Sequence, residues 1–127
     1  GFTVIIVDDA ETATQAYFPE MKIHDNPYPE SLQEVDIRHN DYVAMLHGET
    51  DFEIAGLRYA VQSEPAFIGL LGSRNKRKEH VKPLKEESLP KEAVEKINVP
   101  IGLEIEAETP EEIAISIVAE LIQHKRG

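Results

Sequence analysis

Short apolar stretches recur along the chain, each separated from the next by a polar or amphipathic segment. Four of them, at residues 3–7, 21–24, 41–46 and 66–71, predict β-strands. The first and the fourth are apolar almost throughout, which is typical of strands buried on both faces of a sheet. A fifth stretch at 99–105 contains Pro100 and Gly102, so it predicts only a short or irregular strand.

The segments between the strands show the three-and-four spacing of helices. Thr50 followed by Glu53 is a capping-box signature, and the helix it opens is expected to run to about Ser63. A further helix is expected to start at Ser73. Pro83 then ends it, kinks it or stands in the first turn of a following piece.

Two more helices are expected in the last third of the chain. A short one is predicted at 89–96, where it begins around a proline. The sequence Thr109-Pro110-Glu111-Glu112 combines a capping threonine, proline in the first turn and glutamate at the third helical position. It predicts a helix over 110–125.

The alternation of strands and helices predicts the fold class. It indicates βαβ units in a parallel sheet, and therefore an α/β, Rossmann-like, doubly wound fold with three αβα layers. The 127 residues fit a single domain, 1–127. No G-x-G-x-x-G sequence is present, so we expect the first strand and the glycine-rich loop upstream of Gly1, in a longer polypeptide.

Composition narrows the choice of partners. The net charge of −11 and the pI of about 4.8 disfavour nucleic acid, because phosphate-backbone binding needs a broad basic face. No cysteine is present, which excludes thiolate metal sites within this sequence and fits a cytoplasmic location. No apolar run approaches the roughly 20 residues of a membrane span, so no membrane partner is expected.

The candidate site begins where the fourth strand ends. Gly72 and Ser73 follow the apolar run, and four of the next five residues are cationic, which opposes the acidic background of the chain. A buried strand that ends in a Gly-Ser turn and opens a helix presents backbone N–H groups to an anion. Ser73, Arg74, Lys76 and Arg77 are therefore anion-binding candidates, and the alternative is a solvated basic helix face.

Two other strand ends carry candidate residues. Asp8 follows the first strand, where dinucleotide folds place an acid that binds ribose hydroxyls; the alternative is that it caps the next element. His47 follows the third strand, with Asp51 close behind, at the sheet edge where α/β ligands bind. A single histidine with loosely spaced acids is not a metal signature, so no metal is expected, and packing in a loop is its alternative role.

Several stretches together resemble a known family. They are the strand 4–9 (VIIVDD), 42–57 (YVAMLHGETDFEIAGL), 67–77 (FIGLLGSRNKR) and 100–127 (PIGLEIEAETPEEIAISIVAELIQHKRG). They are similar to the C-terminal Rossmann-like domain of xanthine dehydrogenase accessory proteins of the XdhC/CoxI type. The chain departs from the family pattern at Gly48 and Glu49, and at Glu106, where members often carry glycine.

The resemblance implies a function in maturation of molybdenum hydroxylases of the xanthine dehydrogenase type. Its members are thought to bind molybdenum cofactor, to protect it during sulfuration and to hand it to the apo-enzyme. The implied ligand is molybdenum cofactor (molybdopterin) or a nucleotide such as NAD(P), and the implied partners are the apo-enzyme, a sulfurase and a second copy in a homodimer. The residues in matching motifs are Asp8, His47, Asp51, Gly72, Ser73 and Arg74. No catalytic residue is implied.

Two other functions compete with this hypothesis. A nicotinamide-dependent oxidoreductase domain uses the same fold, but it needs a glycine loop and a proton donor that are not evident here. A signalling receiver domain needs a phosphorylatable aspartate after the next core strand, where this chain has Leu46 and His47. It also needs a lysine after the last strand, where Ile101 and Gly102 stand. A receiver function is excluded on these grounds.

Overall fold

The computed structural model describes residues 5–7, 22–24, 30–46, 50–72, 75 and 77–127. The chain forms two compact units, Gly1–Asp36 and Ile37–Gly127. In the first unit, β1 (Ile5–Val7) pairs in parallel with β2 (Lys22–His24), and a 3-10 turn follows at Glu30–Glu34. Both strands are predicted by the sequence, and the predictions are confirmed.

The second unit holds the remaining described elements. In chain order they are β3 (Tyr42–Met45), α1 (Thr50–Ser63), β4 (Phe67–Leu70), a π-helical segment (Arg77–Val81), α2 (Lys82–Lys85), α3 (Lys91–Glu95) and α4 (Pro110–Arg126). β3 and β4 pair in parallel with Met45 opposite Leu70. The parallel pairs and the intervening helices confirm the α/β class. Pro83 lies in the first turn of α2, one of the three places considered for it.

A core of aliphatic side chains joins the β3–β4 sheet to the helices of the same unit. α1 contributes Leu57, Ala60 and Val61, whose spacing places them on one side of the helix. Every residue of β4 is buried, as its continuous apolar sequence predicts. The buried cluster comprises Met45, Leu57, Ala60, Val61, Ile68, Leu70, Val81, Leu84, Val94 and Ile97.

The strand expected at 99–105 is not formed. Instead, a single β-bridge joins Asn98 to Gly69: the Asn98 N–H donates to the Ile68 carbonyl, and the Asn98 carbonyl accepts from the Leu70 N–H, both at 2.8 Å. The ladder stops there because Pro100 has no N–H to donate. Gly102 then turns the chain away with a φ of 107°, a conformation that glycine adopts readily.

α4 begins where the sequence predicts. The Thr109 hydroxyl accepts from the Glu112 N–H at 3.2 Å, and the Glu112 carboxylate accepts from the N–H groups of Thr109 and Glu108 at 3.0 and 2.9 Å. This is a complete capping box with Pro110 in the first turn. Among the described helices, none has the length and apolar character that a bilayer crossing requires.

Candidate functional site

The carboxyl ends of β3 and β4 lie side by side. The Leu71 N–H donates to the Met45 carbonyl at 2.9 Å, directly beyond the paired strands. Because the strands are parallel, the segments that leave them start from the same sheet edge. One leads towards His47 and the other into the basic segment. The sequence prediction that these segments share an edge is therefore supported at their starting points.

Gly72 lies between β4 and the basic segment, residues 74–85. Its φ is 139°, a region that side chains with a Cβ rarely adopt. Glycine is thus needed at this position to direct the chain out of the buried strand.

The segment after Gly72 concentrates positive charge. Six of the chain's 13 lysines and arginines lie between residues 74 and 85: Arg74, Lys76, Arg77, Lys78, Lys82 and Lys85. Lys82 and Lys85 are exposed on α2, which continues directly from the π-helical segment. The cationic character predicted at the turn therefore extends along the helical segment that follows it.

Most of the predicted site residues lie outside the described part of the chain. These are Asp8, His47, Ser73, Arg74 and Lys76, together with the side chain of Arg77. Their proposed contacts stay predictions. Asp51 is described: it is exposed in the first turn of α1, where a carboxylate also interacts favourably with the helix dipole.

A buried polar pair connects α1 to the basic segment, and sequence reasoning missed it. His80, in the π-helical segment, is 1% exposed, and Glu53, in the first turn of α1, is fully buried. The His80 Nε2 lies 3.4 Å from the Glu53 Oε1, and neither ring nitrogen makes a hydrogen bond within the described residues. The sequence indicates only a capping role for Glu53 and no role for His80, because the pair joins residues 27 positions apart.

A second polar contact holds α1 against the turn after α2. Arg58 donates from Nε and a terminal guanidinium nitrogen to the two carboxylate oxygens of Glu87, at 2.8 and 3.0 Å. This two-point hydrogen bond from Arg58 lowers the pKa of Glu87 and raises that of the guanidinium. The two contacts together fix α1 beside the segment that carries the basic residues.

The cavity found among the described residues lies at the opposite end of the sheet. It measures about 620 Å³ and is lined at the amino end of β4 by Pro65 and Ala66, with Asn98 and His124 among its other walls. Ligands of α/β folds bind at the carboxyl ends of the strands, so this cavity is not the predicted site. Several glutamates line it, but within the described residues no three acidic or histidine groups converge as a metal site would require.

Comparison with known proteins gives a family match over nearly the whole chain. Residues 1–121 match the family described as the XdhC Rossmann domain. The match confirms the resemblance drawn from the sequence and the Rossmann-like fold, with its small parallel sheet and helices.

Individual relatives are longer than this chain. The chain is 31% identical to the uncharacterised protein YqeB of Escherichia coli, covering 100% of this chain and 24% of that protein. It is 34% identical to a Bacillus subtilis protein described as a probable xanthine dehydrogenase subunit, covering 99% of this chain and 37% of that one. A crystal structure described as a xanthine dehydrogenase from Bacillus halodurans superposes with a TM-score of 0.83 at 30% identity, over 99% of this chain and 36% of that one.

Proposed function

The chain belongs to the XdhC Rossmann-domain family, and from that premise we propose that it binds a phosphate-bearing cofactor for an enzyme of the xanthine dehydrogenase type. In this proposal it is an accessory module in the maturation of a molybdenum hydroxylase, and the ligand is molybdenum cofactor or a nucleotide-like phosphate. Binding and transfer, rather than covalent chemistry, are its mechanism. The apo-enzyme and a sulfurase are its proposed partners.

One observation carries the proposal. The buried strand β4 ends at Leu70, and the segment after Gly72 holds six cations in a chain of net charge −11. A concentrated cluster of positive charge at the carboxyl end of a parallel strand suits a small anion. The residue types fit a phosphate group: hydroxyl and backbone N–H donors beside arginine and lysine.

Each proposed contact follows from that chemistry. The Ser73 hydroxyl and the N–H groups after Gly72 would hold the phosphate oxygens, while Arg74, Lys76 and Arg77 would neutralise their charge. Asp8 would accept a hydrogen bond from a ligand hydroxyl, as acids at that strand end do in dinucleotide folds. The buried contact between Glu53 and His80 supports this arrangement, because it packs α1 against the segment that carries the cations.

The loop after β3 belongs to the same proposed site. His47 and Asp51 follow the strand that lies beside β4, so they would border the ligand from the neighbouring strand end. The structure describes two separate parallel strand pairs rather than one sheet. The doubly wound, three-layer arrangement is therefore a proposal as well.

Calorimetric titration of the chain tests the proposal. The probes are molybdenum cofactor released from a molybdenum hydroxylase, NADH and inorganic pyrophosphate. Lys76→Ala and Arg74→Ala are each expected to weaken cofactor binding about tenfold or more, the loss typical of one charge-assisted hydrogen bond. Lys91→Ala removes an exposed cation from α3 and is the matched control. Equal affinity in all four proteins would contradict the proposed site.

A second function, an NAD(P)-binding domain of an oxidoreductase, is favoured by one observation. Two similar proteins carry the description xanthine dehydrogenase, which names an oxidoreductase. Tight binding of NADH, with its oxidation or formation in the presence of xanthine and a redox partner, would support this function. Binding of molybdenum cofactor without NADH binding would favour the accessory role, and binding of neither would contradict both.

A further inference from the structure

The amino end of β4 borders a cavity that the proposed cofactor site does not use. The cavity measures about 620 Å³, which lies within the range of small-ligand sites in proteins. Its lining comes from residues 64–68, from residues 92–100 and from Glu120 and His124 of α4, all in the second unit. This space is called here the amino-end cavity. Because Gly72 follows the other end of β4, the cavity is separate from the basic segment.

The buried part of the lining is apolar. Phe67 and Ile68 at the start of β4 and Ile97 after α3 have at most 5% of their surface exposed. The His124 ring lies edge-on to the Phe67 ring, with 5.4 Å between the ring centroids. Methylene groups of a ligand can pack on such a surface, and an aromatic ring also attracts a nearby cation. The cavity therefore offers room for an aliphatic stem.

Carboxylates dominate the polar part of the lining. The described lining includes four glutamates and one lysine: Glu64, Glu92, Glu95, Glu120 and Lys96. Within the described part of the chain, the carboxylates of Glu64 and Glu92 make no hydrogen bond or ion pair. A cleft lined by charges of one sign raises the local concentration of ions of the opposite sign. The amino-end cavity therefore favours a positively charged ligand.

Two further groups of the lining offer hydrogen-bond acceptors. Asn98 donates from its amide nitrogen to the carbonyls of Ile68 and Lys96, both at 3.1 Å, so its Oδ1 is what remains for a ligand. The Glu120 carboxylate accepts from the Gly102 N–H at 2.9 Å through Oε1, which fixes the group while Oε2 can accept from a ligand. Acceptors thus outnumber donors in this lining, which suits a ligand rich in N–H groups.

The carboxylates are spread over the cavity rather than gathered at one point. Glu64 precedes β4, Glu92 lies on α3 and Glu120 lies on α4, so they come from three separate places in the fold. Among the residues that the structure describes, no three acidic or histidine side chains come close enough together to hold a metal ion. A divalent cation concentrates its charge at one point and needs several oxygens around it. Separated carboxylates instead match a ligand whose positive groups are separated along a chain.

We infer that the amino-end cavity binds an aliphatic polyamine, a small molecule with ammonium groups spaced along a methylene chain. Its ammonium groups donate charge-assisted hydrogen bonds to the carboxylates of Glu64, Glu92 and Glu120, while its methylene groups cover Phe67 and Ile97. This binding goes beyond the proposed cofactor function and does not depend on it, because the two sites use different residues at opposite ends of β4.

Calorimetric titration of the 127-residue chain with spermidine tests the inference. One spermidine per chain is expected to bind saturably. Glu92→Gln and Glu120→Gln are each expected to weaken binding about fivefold or more, since each removes a charge from a contact with an ammonium group. Glu104→Gln is the matched control, because it makes the same change of charge at an exposed glutamate outside the cavity. An absence of saturable binding at about 5 mM spermidine, or an equal loss in the control, would overturn the inference.

Lys96 allows a test in the opposite direction. It is an exposed cation of the lining, so it repels a bound polyamine. Lys96→Gln is therefore expected to strengthen spermidine binding about threefold. Lys91→Gln, at the start of α3 and outside the lining, should leave the affinity unchanged. Weaker binding by Lys96→Gln, or equal strengthening in both variants, would contradict a cationic ligand in this cavity.

Competition experiments separate the polyamine from other occupants. Magnesium ions and an acetylated, amidated trilysine peptide, which carries three ammonium groups as spermidine does, are each expected to displace spermidine only at about tenfold excess or more. Displacement by magnesium at equal concentration would assign the cavity to a point charge and overturn the inference. Tighter binding of the peptide, lost in Glu92→Gln, would assign it to a basic segment of a partner protein and also overturn the inference.

Nuclear magnetic resonance locates the ligand. Spermidine is expected to shift the amide signals of Phe67 and Asn98 and to leave that of Met45, at the carboxyl end of β3, unchanged. Lys76→Ala, at the proposed cofactor site, should keep the wild-type affinity for spermidine, so each proposal can fail without the other. Shifts confined to the carboxyl ends of the strands, or loss of spermidine binding in Lys76→Ala, would overturn the assignment to the amino-end cavity.

Discussion

Glu106 occupies a backbone conformation that suits glycine. Its φ is 58°, in the left-handed region that costs a residue with a Cβ about 1–2 kcal/mol. The family pattern to which the sequence was likened has glycine at this place, and a positive φ is a physical reason for glycine there. The departure noted in the sequence is therefore a source of local strain.

Glu106→Gly is expected to stabilise the chain. Relief of the left-handed strain outweighs the extra entropy of an unfolded glycine, for a net gain of about 0.5–1 kcal/mol in the free energy of unfolding. Urea denaturation measures it. Glu104→Gly, two residues earlier and without a positive φ, is expected to destabilise slightly. A loss of stability in Glu106→Gly would contradict the explanation.

Gly69 makes room for Ile101 in the middle of β4. A Cβ built at Gly69 would lie 2.5 Å from both Cγ1 and Cδ1 of Ile101 and 2.9 Å from Cε1 of Phe67. Gly69→Ala is therefore expected to destabilise by about 1–3 kcal/mol through overpacking. In urea denaturation, the double variant with Ile101→Ala should lose less than the sum of the two single losses. Additive losses would show that the two side chains do not compete for this space.

The ion pair between Arg58 of α1 and Glu87 of the turn after α2 depends on pH. Because its hydrogen bonds to Arg58 lower the pKa of Glu87, folding favours the ionised carboxylate. The contact therefore contributes stability at neutral pH, and this contribution is lost as the pH falls through the lowered pKa, below the ordinary value of 4.5.

Thermal denaturation between about pH 3 and pH 7 checks this sign. The melting temperature of Glu87→Gln is expected to lie below that of the wild type at neutral pH, and the gap should close on acidification. Glu86→Gln alters an exposed neighbour and should follow the wild-type curve. A gap that widens at acid pH would contradict the pKa direction.

Elements with strong local signals were predictable from the sequence. The capping residues at Thr109 and Glu112, together with the apolar run of β4, located α4 and the central strand. For residues 99–105 the sequence predicts only a short or irregular strand, because Pro100 lacks an N–H, and the structure reduces the pairing to a single bridge at Asn98. The pairing of Glu53 with His80 was not predictable, since it depends on how α1 packs against a segment far along the chain.

The acidic character of the whole molecule limits its partners. The net charge is −11, and six of the 13 lysines and arginines lie together at residues 74–85. The sequence therefore does not predict the extended basic surface that binding to a nucleic-acid backbone needs. We expect no binding of a labelled DNA duplex of about 20 base pairs in fluorescence anisotropy at about 10 µM protein and about 150 mM salt. Saturable binding that weakens with added salt would contradict this expectation.

The buried position of β4 determines how slowly its amide protons exchange with solvent. The strand is buried throughout, with β3 on one edge and Asn98 bonded to its other edge. Its amide protons are thus shielded by hydrogen bonds from both neighbours and by side chains from both faces. Deuterium should replace the Leu70 amide proton only when the unit unfolds as a whole, long after exposed positions such as Glu104 have exchanged.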